Sequence, residues 1–167
     1  GGGSRGACEA IKALARLVGA AIITGPVAMD VVESDCPLNV GAAGSKGSIS
    51  GNFAAEQATL VINVGGRGVC QSDSSGTLFA RAEAFINVNL REIEAQRYLG
   101  LPVVGDARAA LEEMLEVLRT EPPSPDAAWL EAIAGARRQW QDYLDDFVRH
   151  PVIDGKLTQP AAIKAID

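Results

Sequence analysis

The stretch FINVNLREIEAQRYLGLPVVGDAR, Phe85–Arg108, holds two short apolar runs, each followed by polar, helix-like sequence. Short apolar strands that alternate with helices build a parallel sheet with crossover connections. In the first run, Phe85–Leu90, Asn87 and Asn89 lie two apart and so point to one face of a strand. The second run, Pro102–Val104, ends in Gly105-Asp106, and Asp106 stands where it can cap the helix that follows. In a parallel sheet the carboxyl ends of the strands share one edge. Loops and helix N-termini gather there, and ligands sit there.

The alternation continues in both directions. Glu9–Val18 places Ile11, Leu14, Ala15 and Val18 on one helical face, and Gly19 can end that helix. Ala20–Thr24 reads as a strand closed by Gly25-Pro26. Val27–Gly51 reads as loop, Asn52–Ala58 as a short helix starting near Ser48, and Leu60–Val64 as a buried strand. Gln71–Gly76 is polar and turn-like. Ala107–Arg119 is amphipathic, with Leu111, Met114, Leu115 and Leu118 inward. Glu121–Asp126 (EPPSPD) is a proline-rich linker. Ala127–Arg149 is then a helix with Trp129, Ile133, Trp140, Tyr143, Leu144 and Phe147, capped by Asp126, and a last helix starts at Thr158. The expected fold class is α/β, a Rossmann-like parallel sheet of about six strands with helices on both faces.

Of the 167 residues, 47% are apolar and only 5% aromatic, a balance that suits thin strands and closely packed small-residue helices. The formal charge of -6 and pI near 4.8 exclude a nucleic-acid surface, which needs clustered Lys and Arg. No apolar run approaches the roughly 20 residues of a membrane span, and no signal peptide is visible, so a cytoplasmic protein is expected. Cys8, Cys36 and Cys70 show neither CxxC spacing nor a disulfide framework, which fits reduced thiols. His150, the sole histidine, precedes Pro151 and is a poor basis for a triad or a zinc site. The opening Gly-Gly-Gly-Ser, without an initiator Met, reads either as a βα turn of an excised piece or as a flexible tag.

Candidate cofactor-binding positions are the strand ends and one glycine-rich loop: Gly65 and Arg67, Asn87 and Asn89, Gly105 and Asp106, and Gly41 and Gly44 within Gly41–Gly51. Glycine lets a ligand approach the backbone, Arg67 offers a fork for phosphate, and Asn or Asp can meet a ribose or base. The plain alternatives are turn glycines, a surface ion pair at Arg67, amides that cap a loop, and Asp106 as a helix cap. Neither a GxGxxG fingerprint nor a Walker lysine is present. Glu33 and Asp35 are neighbouring loop acids, the nearest approach to an acid/base pair. No catalytic residue and no metal ligand is expected in this chain.

In its ordered landmarks the chain resembles the middle domain of thiamine-diphosphate-dependent enzymes. Those landmarks are the opening glycines, Asp35-Cys36-Pro37-Leu38-Asn39-Val40-Gly41-Ala42-Ala43-Gly44, Ala58–Arg67, and Val104-Gly105-Asp106-Ala107. Phe-Ile-Asn-x-Asn at Phe85–Asn89 departs from the Ile-Asp-x-Asp of acetolactate synthases and pyruvate oxidases, and is similar to the trihydroxycyclohexane-dione hydrolases of inositol catabolism. Cys36 replaces a usual histidine and Thr59 a usual aspartate.

The resemblance implies a central domain over residues 1–120, a linker and connector helix over 121–156, and the start of a cofactor-binding domain at 157–167. It implies a parent that hydrolyses a carbon–carbon bond of a cyclic 1,2-dione, with thiamine diphosphate and Mg2+ held by other domains. The flanking domains of the same enzyme and a homo-oligomeric dimer or tetramer are the implied partners. By itself the chain would be a scaffold without catalytic residues. Alternatives are the middle domain of an acetolactate-synthase-like enzyme, or a freestanding module that binds FAD or ADP.

Overall fold

Gly2–Ala7 forms a 3-10 turn that runs directly into α1, Cys8–Val18. In this computed structural model the described residues are 1–67, 74 and 76–166, the side chain of Phe147 excepted. Ala10, Leu14 and Ala15 of α1 are buried, and Gly19 closes the helix in the left-handed region at φ 69°, where glycine carries no Cβ penalty. The strand β1, Ile22–Thr24, pairs in parallel with β2, Asn39–Ala42. Next comes α2, Ile49–Gln57, whose N-cap Ser48 accepts from the Gly51 N–H.

A second parallel sheet follows, in the order β3 (Leu60–Val64), β4 (Ala84–Asn89), β5 (Leu101–Val104). A four-residue helix α3, Glu92–Ala95, and a turn at Arg97–Leu99 connect β4 to β5. The amphipathic α4, Ala107–Thr120, leads to α5, Ala127–Arg149. Beyond it lie a two-stranded antiparallel ribbon, β6 (Val152–Ile153) with β7 (Lys156–Leu157), and α6, Gln159–Lys164.

The α/β class stands, but the strand count is smaller than about six. The described residues hold two parallel sheets, β1-β2 and β3-β4-β5. What joins them is α1 rather than a ladder. Its Ala10 and Leu14 pack with Val88 and Leu111 of the three-stranded unit, while its Ala15 packs with Ile22 of β1. The β1 strand is also shorter than the apolar run Ala20–Thr24, because the Ala20 N–H is spent on the Ala15 carbonyl at the helix end.

Two local expectations change. Val27–Gly51 is not all loop, since β2 lies inside it. Leu60–Val64 is a strand but not a buried one, for Leu60 is exposed and the other four residues are half-buried. The turn at Gln71–Gly76 lies largely outside the described residues, as does Cys70; Cys8 and Cys36 are free thiols.

One face of the three-stranded sheet is covered by α1 and α4. Leu14, Val88, Leu111 and Leu115 form the buried centre there, with Ile62, Val64, Met114 and Leu118 around it. Each such leucine contributes roughly 1.5–3 kcal/mol relative to an exposed one. The inward positions expected for α4 are therefore the ones that pack.

Over β1-β2, α2 is in turn covered by the first half of α5. Ile133, 2% exposed, packs with Val40 and Ala54, beside Phe53 and Trp129. Arg137 donates to the carbonyls of Pro37 (2.7 Å) and Ser34 (3.3 Å). The helix after the proline-rich linker is thus fastened to the α/β body. Asp126 caps it as expected, accepting from the Ala128 and Trp129 N–H groups. Thr158 occupies the expected N-cap position of α6, but its hydroxyl makes no capping bond, and Oγ1 is buried without a hydrogen-bond partner. No helix among the described residues is long and apolar enough to cross a membrane.

Candidate functional site

The carboxyl edge of β3-β4-β5 brings together six of the eight expected binding positions. The parallel register sets Asn63 beside Asn87 and Asn89 beside Val104. Past the strands the ladder is extended by turn residues: the Gly65 N–H donates to the Val88 carbonyl at 2.8 Å, and the Gly105 N–H to the Asn89 carbonyl at 3.0 Å. The opening glycines lie on this edge as well. Gly3 donates to the Gly65 carbonyl at 3.2 Å, and the Gly1 nitrogen to the Val64 carbonyl at 2.7 Å.

On the face away from α1 and α4 the sheet carries a lattice of amides. Asn63 Nδ2 donates to Asn87 Oδ1 (3.3 Å) and to the Gly66 carbonyl (3.2 Å). Asn89 Nδ2 donates to the same Gly66 carbonyl at 3.1 Å, and its Oδ1 accepts from the Arg91 N–H at 3.1 Å. Asn87, 0% exposed, donates to the Arg97 carbonyl at 2.7 Å. A buried amide has to find partners, because an unmet donor or acceptor costs about 1–3 kcal/mol. Here the partners are the chain's own turns. The Asn63 and Asn89 amides hold the Gly65–Arg67 turn over the strand ends, and Asn87 holds the turn that enters β5.

The remaining expected residues have local duties. Gly65 sits at φ 59°, and a Cβ there would lie 2.6 Å from the Gly3 carbonyl carbon. Arg67 is exposed at the end of its turn. Gly105 is sterically open. Asp106 Oδ1 accepts from the Arg108 (3.0 Å) and Ala109 (3.1 Å) N–H groups, which makes it the N-cap of α4.

Gly41 and Gly44 lie apart from these, at the end of β2. Their N–H groups donate to Asn39 Oδ1 (2.9 Å) and Asn52 Oδ1 (2.8 Å), and both have positive φ. The structure therefore divides the expected set between two sheets.

The residue missed from sequence is Asn63. Its signal was available: Ile62-Asn63-Val64 and Ile86-Asn87-Val88 are the same tripeptide, and they stand in register.

Among the described residues, several charged groups elsewhere are taken up in ion pairs. Cys8, Glu9 and Glu33 converge, but the Lys12 ammonium is already seated between the two carboxylates, at 2.7 Å from Glu9 and 3.2 Å from Glu33. Both carboxylate bonds raise the Lys12 pKa. Hydrogen bonding to the backbone, and then to Lys12, lowers that of Glu33. Arg5 pairs with Asp30 at 3.0 Å, and its hydrogen bond holds the Asp30 carboxyl below the ordinary range. His150 stands at the far end of α5, 3.1 Å from Asp146.

Comparison with known proteins identifies a family. The family model described as thiamine pyrophosphate enzyme, central domain, matches residues 1–114. A 3D-(3,5/4)-trihydroxycyclohexane-1,2-dione hydrolase of Listeria monocytogenes is 34% identical over 121 residues, which are 71% of this chain and 19% of that enzyme. The enzyme of the same name from Bacillus velezensis is 31% identical over 145 residues, 85% of this chain and 22% of its own length. That of Clostridium perfringens is 31% identical over 112 residues, 66% of this chain and 17% of the enzyme. The chain spans about a fifth of the length of these relatives.

Proposed function

Because the chain belongs to the central-domain family of thiamine pyrophosphate enzymes, we propose that it is the scaffold domain of a hydrolase that opens a cyclic 1,2-dione in inositol catabolism. The names carried by its relatives support that substrate class. In the parent, thiamine diphosphate and Mg2+ are bound by domains outside these residues. Residues 1–120 form the central α/β unit, 121–156 the linker and connector helix, and 157–167 lead into the cofactor-binding domain. The parent acts in the cytoplasm as a homo-oligomer.

The observation that supports a scaffold is the amide lattice. Asn63, Asn87 and Asn89 sit where a nucleotide crevice would open, yet their amides bind the main chain of Gly66 and Arg97. An amide turned to its own backbone organises turns and strand ends. That is the task of a domain which positions its neighbours.

Two measurements test this. Calorimetric titration of the protein with FAD, ADP and NAD is expected to show no strong binding. A dissociation constant tighter than about micromolar, roughly -8 kcal/mol, overturns the scaffold. The full-length parent, supplied with thiamine diphosphate and Mg2+, is expected to hydrolyse the trihydroxycyclohexane-dione. Turnover of 2-keto acids instead would place it with the acetolactate-synthase-like enzymes.

A further inference from the structure

The chain holds one Asp-Gly dipeptide, Asp154-Gly155, and the fold places it at the tip of the β6–β7 hairpin. Ile153 pairs with Lys156 across it, so these two residues are the whole loop. Their φ values of 51° and 73° are both left-handed, as a type I′ turn requires when it joins antiparallel strands in two residues. Both residues are exposed, and a Cβ on Gly155 would meet no atom within 4 Å. Among the described residues, therefore, no neighbouring group crowds this peptide bond.

Little holds the hairpin shut. It has two residue pairs, Val152 with Leu157 and Ile153 with Lys156. Beyond them the Thr158 N–H donates to the Pro151 carbonyl at 2.8 Å. Its apolar side chains are wet, with Val152, Ile153 and Leu157 at 54%, 53% and 61% exposed. The Thr158 hydroxyl is buried without a hydrogen-bond partner, which favours an open state where water reaches it. A lone two-stranded hairpin is marginal in water. Segments with so few buried contacts open locally at a free energy far below that of global unfolding.

Once open, the chain at this point is chemically exposed. The nitrogen that follows an aspartate can reach its side-chain carboxyl, and a glycine nitrogen is the least hindered because no Cβ stands beside it. We propose that Asp154-Gly155 is a site of spontaneous isomerisation to isoaspartate, gated by opening of the β6–β7 hairpin. The Gly155 nitrogen bonds to Asp154 Cγ. Its proton and the carboxyl hydroxyl leave as water, and a five-membered succinimide forms. Water then adds to one of the two ring carbonyls. Cleavage between Cγ and the nitrogen restores aspartate. Cleavage between the main-chain carbonyl carbon and the nitrogen gives isoaspartate, with the peptide link now running through Cγ. The water lost is regained, and no oxidant or co-reactant is consumed.

Isoaspartate lengthens the main-chain path by one carbon. A two-residue turn has no slack to absorb it, so the pairing of Val152 with Leu157 is lost. The connection by which the chain returns from α5 to α6 then loses its fixed turn.

The test ages the purified protein at neutral pH and body temperature. Isoaspartate is counted with protein L-isoaspartyl O-methyltransferase and a labelled methyl donor, and located by electron-transfer fragmentation of the labelled peptide. Label is expected at position 154 above every other aspartate, and it should vanish in Asp154→Glu, whose longer side chain would have to close a larger ring. Label centred elsewhere, or persisting in Asp154→Glu, would overturn the site. Gating by a loose hairpin predicts a rate within about a hundredfold of that of a free peptide spanning Arg149–Pro160, and any greater slowing would overturn the gate. In the isomerised fraction the cross-strand NOE between Val152 and Leu157 is expected to disappear. Its survival would show that the hairpin tolerates the longer chain and would overturn the loss of pairing.

Discussion

Asn63 and Asn87 are register partners on adjacent parallel strands, and the amide of one donates to the side-chain oxygen of the other at 3.3 Å. Asn87 is the deeper of the two, with its own amide spent on the Arg97 carbonyl at 2.7 Å. Replacing Asn87 by Ala removes both bonds and leaves buried groups unmet, at an expected cost of about 2–3 kcal/mol in urea unfolding. Asn87→Asp should be worse at pH 7, since it buries a charge whose second oxygen faces a carbonyl. Burial raises the pKa of such a carboxyl. The deficit is then largest above that raised pKa and shrinks as pH falls and the group protonates. An Asp variant equal to wild type at pH 7 would mean that the lattice bears no load.

Two positions on α4 should respond very differently to the same truncation. Leu111 is 0% exposed and Val117 is 69% exposed. Leu111→Ala is expected to destabilise by about 2–5 kcal/mol, whereas Val117→Ala should stay within about 0.5 kcal/mol. Chemical unfolding midpoints compare them directly, and similar losses would contradict the packing of α4 on α1.

Glycines at neighbouring strand ends are likewise unequal. Gly65 has φ 59° and presses on Gly3, while Gly105 faces open space. Gly65→Ala should cost about 1–2 kcal/mol for the left-handed backbone alone, with the contact adding to it. Gly105→Ala is expected to be neutral in thermal melts.

The pair of Arg5 and Asp30 makes a pH prediction. Arg5 lowers the Asp30 pKa by its hydrogen bond. The folded value is depressed, so the stabilisation is present above the ordinary Asp range near about 3.9 and fades as pH falls through the folded pKa. NMR titration of the Asp30 carboxyl should show a midpoint below the ordinary one, and Arg5→Ala should raise it toward that range, the backbone hydrogen bond keeping part of the shift. An unchanged midpoint in the variant would show that Arg5 is not the cause.

Sequence legibility followed physical scale. Where structure arises from local pattern, the elements emerged closely: α4 with its four inward residues, the Asp106 and Asp126 caps, and the bounds of β3. Where long-range contacts decide, they did not. The strand β2 lies in a glycine-rich stretch without period. It is held by its parallel pairing with β1 and by side-chain bonds that no periodicity signals: Asn39 Nδ2 donates to the Val32 and Glu33 carbonyls, and the Ser48 and Ser50 hydroxyls both donate to the Val40 carbonyl. The apolar run of β3 suggested burial, but burial depends on what flanks a strand, and LVINV says nothing of its neighbours. Asn87 and Asn89 were rightly placed on one face at a sheet edge. That they turn to Gly66 and Arg97 is a matter of tertiary geometry, which spacing alone does not carry.

The fastening of α5 has a mechanical consequence. The helix runs 23 residues, about 34 Å at 1.5 Å per residue, yet its grip on the body comes from Trp129, Ile133 and Arg137 in its first half. The helix also packs against α6, so a turn of α5 about the Ile133 socket would carry α6 with it, and a substitution in that socket would shift the far end of the chain as well as its own surroundings.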